Sequence, residues 1–231
     1  MKAALSFNDV HLRYSDHAVL QGLSFSVAAG EIAVLLGGNG AGKTSALECA
    51  LGLARPSMGR IEVFGQAVVP GRSVDPRIAF IPESVGIYDE LSARETLRLL
   101  GAVQHGTPPQ ASVVESLLDR VGFPSDARSR RLALLSKGMR QKVALALGLG
   151  KGASLMLLDE PTSGLDVPSA KALNAILIDI ARSGVSVLMT THDLLRAREL
   201  PGRGLILTAG RIVDEVATQD LDLDAVERQL A

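Results

Sequence analysis

Hydrophobic and polar residues alternate in the first part of the chain, at residues 4–7, 10–12 and 23–27. A period of two places neighbouring side chains on opposite faces of a strand, so these segments predict short antiparallel strands with one solvated face. Residues 32–36 differ because they form an apolar run without interruption. Such a run is typical of a strand that is covered on both faces.

Beyond this strand, predicted strands and helices succeed one another. A glycine-rich turn leads into a predicted helix at residues 43–53, which ends before Pro56. Two apolar segments flank a turn at Gly210, as in a hairpin, and residues 221–230 predict a short acidic helix. Further apolar runs predict strands at residues 61–64, 78–81, 155–158 and 185–189.

Helical signals dominate between residues 83 and 134. Ser92 and Glu95 have the spacing of a capping box, in which two side chains satisfy free backbone N–H groups at a helix start. The same spacing at Ser112 and Glu115 is a candidate start for a second helix within residues 109–121. Further helices are predicted at residues 137–148 and 168–183.

Composition and charge restrict the class of protein. The chain has 231 residues, of which 47% are hydrophobic and 21% charged, and its formal net charge is −1. This is the balance of an ordinary globular domain with a sizeable core. Because positive charge is not in excess and tryptophan is absent, neither nucleic acid nor an anionic membrane surface is predicted as a direct ligand.

Cysteine count and apolar run lengths bear on the compartment. Cys49 is the single cysteine, which excludes an intrachain disulfide and a cysteine metal cluster and indicates a reducing compartment. Residues 1–10 lack the apolar run of a signal peptide, and no segment approaches the ~20 apolar residues of a membrane-spanning helix. We therefore expect no direct membrane insertion, so that any action at a membrane passes through a partner protein.

The sharpest local signal is a GxxxxGK[ST] pattern between the predicted buried strand and a predicted helix. Glycines let successive N–H groups point at phosphate oxygens, and the helix N-terminus adds a positive dipole. Lys43 would reach the β- and γ-phosphates, and Thr44 would offer its hydroxyl to Mg²⁺. An accidental glycine-rich turn is the alternative, but it does not explain the order of strand, loop and helix. The predicted nucleotide-contacting residues here are Gly37, Gly38, Asn39, Gly40, Ala41, Gly42, Lys43, Thr44 and Ser45.

Two carboxylates follow the apolar run at residues 155–158. Beside the phosphate loop, Asp159 would face the metal through water, and Glu160 would orient or deprotonate the attacking water. Ordinary solvated acids at a strand end are the alternative interpretation. The presence of the phosphate loop in the same chain favours the catalytic one.

Histidine positions separate one candidate from three others. His192 follows the run at residues 185–189 through two threonines, where it could contact the γ-phosphate and sense its loss. A helix cap or a surface histidine is the alternative. His11, His17 and His105 have no comparable context and are expected to be solvated.

Together with three further segments, these residues give the chain a resemblance to the ABC (ATP-binding cassette) ATPases. Residues 135–141 are similar to the LSGGQ signature of that family, residues 163–166 match its D-loop, and residues 191–193 match its switch histidine. Tyr14 lies where the family places an aromatic residue that stacks on adenine. The resemblance implies an α/β P-loop NTPase fold with a mixed central sheet, an antiparallel β-subdomain and a helical subdomain.

This resemblance also implies a mechanism that needs two copies. Residues 1–231 would form one ABC ATPase domain, with the helical subdomain at approximately residues 84–150. In the family two cassettes dock head to tail, with ATP between Lys43 of one subunit and the signature of the other. Ser136, Gly138 and Asp166 are thereby implied to contact nucleotide. Hydrolysis would open the dimer and move a separate transmembrane permease, which would hold the cassette on the cytoplasmic face of the membrane.

Three departures from the family pattern stand out. Glu83 replaces the usual glutamine and is expected near Mg²⁺ together with Thr44 and Asp159. In the signature, Lys137 and Met139 replace a glycine and the glutamine, and in the phosphate loop Gly38 replaces the usual proline. The first two departures resemble a branch that contains drug, sodium and polysaccharide exporters and the cassettes that help to mature copper enzymes.

A non-transport ABC ATPase, acting in translation or DNA maintenance, is the alternative function. Translation factors of this type carry two cassettes on one chain, and repair enzymes need zinc cysteines. Chromosome proteins place long coiled coils between the two catalytic halves, and no heptad tract occurs between Lys43 and Asp159. A transporter subunit is therefore the main hypothesis, in which residues 83–91 would receive the coupling helices of the permease.

Overall fold

The computed structural model describes residues 3–230, so residues 1, 2 and 231 of the predicted single domain lie outside the described residues. The strands are β1 Ala3–Tyr14, β2 His17–Ala28, β3 Ile32–Leu36, β4 Met58–Val63, β5 Gln66–Ala67, β6 Ile78–Ile81, β7 Leu155–Leu158, β8 Ser186–Thr191, β9 Arg203–Thr208 and β10 Arg211–Ala217. The helices are α1 Lys43–Ala50, α2 Ala93–His105, α3 Ala111–Arg120, α4 Lys137–Gly150, α5 Val167–Arg182, α6 Leu194–Arg198 and α7 Leu223–Leu230.

The strands form one mixed and one antiparallel sheet. The mixed sheet has the order β10-β9-β3-β8-β7-β6, in which β10 is antiparallel to β9 and the other neighbours are parallel. The second sheet has the order β2-β1-β4-β5 and is antiparallel. With its helices, this arrangement confirms the predicted α/β fold class.

Strand β3 contributes to two hydrophobic cores. Ala33 and Leu35 face a core that is shared with the antiparallel sheet and α1. Val34 and Leu36 face the opposite core, which contains residues of α2, α3, α4 and α5. Because all four side chains are fully buried, the strand shows no alternation in its sequence. The loop that joins β3 to α1 therefore starts from a strand that is fixed on both faces.

The first two strands are longer than the short strands that the sequence predicts. Both β1 and β2 contain 12 residues. The register of their pairing shifts between Phe7 and Val10, and Asp9 lies there with a φ of 49°. An extra residue at such a bulge reverses the alternation of faces, so one strand produces two separate sequence patterns.

Two predicted helix ends are wrong. Helix α1 ends at Ala50 rather than at residue 53, and Gly52 follows with a φ of 71°. Ser112 is not the cap of α3, since Gln110 holds that position without a side-chain hydrogen bond. The first turn is already formed there, because the Val113 N–H donates to the Gln110 carbonyl.

The predicted capping box of α2 is present. The Ser92 hydroxyl accepts from the Glu95 N–H at 3.3 Å, and the Glu95 carboxylate accepts from the Ser92 N–H at 2.8 Å. The Ser92 hydroxyl also donates to this carboxylate at 2.7 Å, and the hydrogen bonds that the Ser92 N–H and hydroxyl donate lower the pKa of Glu95. Within residues 3–230, we find no helix of the length and apolarity that crossing a membrane requires.

Helices α2, α3 and α4, which follow β6 and precede β7 in the sequence, pack on one another. An ion-pair network joins them to the chain that leads towards α4. The buried Arg128 donates to Glu115 at 2.7 Å, and Arg94 on α2 donates to the same carboxylate at 2.6 Å. These two hydrogen bonds lower the pKa of Glu115 to about 2.

Candidate functional site

The predicted catalytic residues lie at one edge of the mixed sheet. Strands β3, β8, β7 and β6 are parallel neighbours, so the segments that follow them leave from the same edge. These segments carry, in that order, the phosphate loop, His192, the Asp159–Glu160 pair and Glu83. The carboxyl edge of parallel strands is the usual ligand site of open α/β sheets.

Glycine is required where the phosphate loop turns into α1. Gly42 is the N-cap of α1 and has a φ of 104°. A Cβ at this position would lie 2.9 Å from Cδ2 of Leu20 and 3.0 Å from the carbonyl oxygen of Val19. Both the backbone conformation and the lack of space therefore exclude a side chain. Tight wrapping of this kind directs backbone N–H groups inwards, as a phosphate cradle needs.

Lys43 is buried inside the loop that it follows. Its Nζ donates to the carbonyl oxygens of Gly37 at 2.8 Å and Gly38 at 3.2 Å. It also lies 3.2 Å from Oε1 of Glu160. An ammonium group has three donors, and this arrangement directs them at oxygens around the loop. A phosphate that entered the loop would compete with these oxygens for the same donors.

The two carboxylates after β7 are held differently. Asp159 is buried, and it accepts hydrogen bonds from the Thr44 hydroxyl at 2.8 Å and the Thr190 hydroxyl at 2.6 Å. Glu160 has a left-handed backbone with a φ of 44°, and its Oε2 lies 3.1 Å from Nδ1 of His192. Asp159 is therefore held in place by two threonine hydroxyls, one of them from α1. The Glu160 carboxylate instead points towards Lys43 and His192.

Glu83 joins the signature to the segment that follows β7. Its Oε1 accepts from the Ser163 hydroxyl at 2.8 Å and lies 3.7 Å from Nζ of Lys137. Ser136 is exposed and caps α4, and its hydroxyl accepts from the Met139 N–H at 3.3 Å. The two departures from the family pattern, Glu83 and Lys137, are thus neighbours in space.

Tyr14 and Asp166 make local contacts. The half-exposed Tyr14 donates its hydroxyl to Glu48 of α1 at 3.3 Å, and partial burial together with the Glu48 charge raises the pKa of Tyr14. Asp166 is the N-cap of α5 and accepts from the Ser169 N–H at 2.8 Å. Hydrogen bonds from Ser169 lower the pKa of Asp166. A nucleotide contact of either residue stays a prediction.

An open cleft of about 380 Å³ runs along the phosphate loop. The predicted site residues that line it are Gly38, Asn39, Gly40, Gly42, Lys43, Thr44, Ser45, Glu83, Asp159 and Glu160. Those outside its lining are Tyr14, Gly37, Ala41, Ser136, Gly138, Asp166 and His192.

Sequence reasoning missed other residues of this site. His17 is exposed, as predicted, but it also lines the cleft together with Val19. The signal in the sequence is its closeness to Tyr14, the predicted adenine contact, since His17 lies three residues further on and pairs with Tyr14 across the β1–β2 turn. The sequence does not distinguish Thr190 from its neighbour Thr191, although the Thr190 hydroxyl donates a hydrogen bond to Asp159.

The sequence profile of the ABC transporter family matches residues 20–163. This chain belongs to the ABC transporter family. The match spans the phosphate loop, the signature and the Asp159–Glu160 pair. This ABC cassette is an ATP-binding subunit of a transporter, and it binds and hydrolyses ATP.

Relatives and solved structures resemble the cassette over most of its length. Nod factor export ATP-binding protein I of Burkholderia orbicola (strain AU 1054) is 35% identical over 222 residues, which cover 95% of this chain and 72% of the relative. Daunorubicin resistance ATP-binding protein DrrA3 of Streptomyces coeruleorubidus is 33% identical and covers 94% of this chain and 69% of the relative. The ATP-binding cassette MJ0796, solved as a dimer in a post-hydrolysis state with ADP and Pi, has the same fold. Its TM-score is 0.81 at 21% identity, and the match covers 94% of this chain and 100% of that chain.

Proposed function

We propose that this cassette powers export through a separate membrane permease, with ATP bound between two copies of the chain. One observation carries the proposal: the phosphate loop and the carboxylates line one cleft, whereas the signature residues Ser136 and Gly138 lie outside its lining. A second copy would bring its signature to the open side of the nucleotide. The dimer in which the cassette of the same fold was solved supports this arrangement.

Lys43 and the glycine-rich loop are the proposed phosphate ligands. Lys43 lines the cleft, and its donors contact Glu160 and two loop carbonyls, with which an entering phosphate would compete. The helix that starts at Lys43 adds the positive end of its dipole. Tyr14 is proposed to stack on adenine, and its bond to Glu48 ties it to the same helix.

The side chains at the cleft also fit Mg²⁺. The Thr44 hydroxyl and the Asp159 carboxylate are hydrogen-bonded at 2.8 Å, and Glu83 lines the same cleft. In the part of the chain that the structure describes, no group of three or more His, Cys, Asp or Glu residues could hold a metal by itself. This suits Mg²⁺, which is bound by one or two carboxylates together with substrate phosphates and water. Bound there, the ion would offset the negative charge of the phosphates.

Glu160 is the proposed catalytic carboxylate. Its two oxygens lie 3.2 Å from Lys43 Nζ and 3.1 Å from His192 Nδ1, which places it between the phosphate ligand and the switch histidine. A carboxylate at this position can orient or deprotonate a water that attacks the γ-phosphate. His192 would contact the γ-phosphate and lose that contact when phosphate leaves.

Ser136 and Gly138 of a second copy would bind the γ-phosphate from the other side. Ser136 is the N-cap of α4, so its hydroxyl lies beside the positive end of the helix dipole. Both lie outside the cleft of their own chain and are available to the nucleotide of a second copy. Because one chain carries both halves, two identical sites in a homodimer follow from two-fold symmetry. Asp166 is proposed to contact nucleotide at the same interface.

A groove beside β6 is the proposed permease contact. The groove lies between the edge strand β6 and α4, and its lining includes Phe80, Pro82, Val85, Ile87 and Leu147. It overlaps the start of the segment 83–91 and the proposed helical subdomain at residues 84–150. An apolar groove at this place can receive a short helix of the permease. Such a contact would hold the cassette peripherally at the cytoplasmic face of the membrane.

Export as the direction of transport is supported by the relatives. The names of two relatives describe Nod factor export and daunorubicin resistance, and both proteins align with more than nine-tenths of this chain. The chemistry of the cassette itself is the same in either direction, because substrate recognition belongs to the permease. We therefore propose export without naming a substrate.

Capture of the tagged cassette from detergent-solubilised native membranes tests this proposal. We expect a multi-spanning membrane protein to co-purify and to stimulate the ATPase. The variant Phe80→Asp, at an exposed position of the edge strand β6 in the groove, should lose this partner, whereas the matched control Val213→Asp, at an exposed position of the edge strand β10, should keep it. Recovery of ribosomes or DNA complexes alone would overturn the transporter proposal in favour of a role in translation or DNA maintenance.

A further inference from the structure

Thr190 lies at the edge of the mixed sheet that carries the proposed catalytic residues, but it does not line the cleft. It is the fifth residue of β8 and its side chain is fully buried. Its hydroxyl donates to Oδ1 of Asp159 at 2.6 Å and accepts from the backbone N–H of Glu160 at 3.0 Å. One hydroxyl thus uses its single donor and one of its acceptor positions on two consecutive residues after β7.

The register of the sheet produces this contact. Leu158 of β7 pairs with Met189 of β8, so the next residues along the parallel strands, Asp159 and Thr190, also lie side by side. The hydrogen bond joins residues that are 31 positions apart in the sequence. No local sequence pattern therefore reveals it.

Both partners of Thr190 need to be held. Glu160 has a φ of 44°, a left-handed backbone conformation that residues other than glycine rarely adopt. The surrounding structure must therefore maintain it. Asp159 has one oxygen on the Thr44 hydroxyl, and Thr190 holds the other. Without the Thr190 hydroxyl, a buried carboxylate oxygen and a backbone N–H would both lose their partner.

We propose that Thr190 is a positioning residue for ATP hydrolysis, which sets the rotamer of Asp159 and the backbone of Glu160. This inference rests on the proposed roles of those two carboxylates. The hydroxyl is the required group, since valine has the same shape and fills the same buried volume. Serine keeps the hydroxyl and should preserve the function.

Three variants separate positioning from simple stability. Thr190→Val removes the hydroxyl, Thr190→Ser keeps it, and Ser186→Ala removes another buried hydroxyl from the opposite end of the same strand. The Ser186 hydroxyl accepts from the Gly30 N–H at 3.1 Å and lies away from the carboxylates. It is therefore a matched control for loss of a buried hydrogen bond in β8.

The measurements are the kcat and KM for ATP and the hydrogen exchange of the Glu160 amide by NMR in nucleotide-free protein. We expect Thr190→Val to lower kcat by about 10- to 100-fold, as loss of groups that orient metal ligands does, with a much smaller change in KM. The Glu160 amide should exchange at least ~10-fold faster, because its acceptor is gone. Thr190→Ser should keep the kcat and the Glu160 exchange rate of the wild type, and Ser186→Ala should change neither.

Wild-type turnover of Thr190→Val, or an equal loss in Ser186→Ala, would overturn the inference, as would failure of Thr190→Ser to restore kcat. If Thr190→Val does not fold, Thr190→Ala replaces it in the same comparison. Glu160→Gln is assayed in parallel. Normal hydrolysis by Glu160→Gln would remove the proposed role of Glu160, while unchanged amide exchange in Thr190→Val would remove the role of Thr190 by itself.

Discussion

The proposed nucleotide site has a phosphate half, formed by the phosphate loop, Asp159 and Glu160, and a signature half, formed by residues 135–141, and the two are built in opposite ways. In the phosphate half, Lys43 and Asp159 are buried and hydrogen-bonded to neighbouring oxygens and hydroxyls. In the signature half, Ser136 is exposed and Lys137 is partly solvated. One half is therefore preorganised within the chain, while the other is a surface that a second molecule can cover.

The exposed signature nevertheless starts from rigid structure. The chain that leads to α4 is anchored through Arg128, whose guanidinium is buried between Glu115 and Asp119. Helix α4 itself packs on α2, α3 and β6. The signature half is therefore exposed but supported, as a docking surface needs to be.

The largest expected effect is on the phosphate half. Glu160→Gln removes the carboxylate that would activate water, so we expect kcat to fall by about 100-fold or more while ATP still binds. Because ATP then persists, the two halves should stay closed on each other, and a dimer should accumulate in size-exclusion chromatography with ATP. Glu227→Gln, the same change at an exposed residue of α7, is the control. Normal hydrolysis by Glu160→Gln would contradict its proposed role.

A smaller effect is expected on the signature half. Asp and Asn both cap helices well, so Ser136→Asp and Ser136→Asn should fold alike. The added charge of Asp would repel the γ-phosphate, and we expect its kcat to be about 10-fold or more below that of Ser136→Asn. Equal rates for the two variants would show that Ser136 does not face phosphate.

Mixing variants tests whether the two halves come from different copies. Lys43→Ala damages the phosphate half, and Ser136→Asp damages the signature half. A mixed dimer contains one site in which both Lys43 and Ser136 are intact, so the ATPase activity of the mixture should exceed that of either variant alone. If the mixture is no more active than its components, the head-to-tail arrangement is wrong.

The support beneath the signature can be weakened separately. Glu115→Gln removes charge-assisted hydrogen bonds to Arg94 and Arg128, and since the carboxylate is 35% exposed we expect a loss of only about 1 kcal/mol of unfolding free energy. Because the folded-state pKa of Glu115 is lowered to about 2, its stabilising contribution is present above the ordinary carboxylate pKa of 4.5 and is lost as the pH falls towards 2. Denaturant unfolding at several pH values should show a difference between wild type and variant that shrinks in acid.

The smallest effect is expected where the halves meet within one chain. Glu83 and Lys137 are 3.7 Å apart and partly exposed. A double-mutant cycle with Glu83→Gln and Lys137→Met should give a coupling of about 0.2–1 kcal/mol in unfolding free energy. A coupling of several kcal/mol would mean that this pair, rather than the buried contacts, holds the signature against the carboxylates.

Many local features of the fold were predictable. Strands β6 and β7 have the bounds that their apolar runs predict, and the capping box of α2 is where Ser92 and Glu95 indicate. These features depend on side chains within a few residues of one another. The bulge at Asp9 and the true start of α3 were not predictable, because register and packing with distant strands and helices decide them.

The family, the phosphate loop and the order of the proposed catalytic residues along the chain can be inferred from the amino-acid sequence alone, because each motif is continuous. Which of those motifs touch depends on how the strands pair in the folded protein. The tertiary structure places Thr44 against Asp159 across 115 positions, Ser163 against Glu83 across 80 and Thr190 against Asp159 across 31. The physical reason is that parallel pairing of β3, β8, β7 and β6 aligns their carboxyl ends, and the register of that pairing is set by burial on both faces of the sheet.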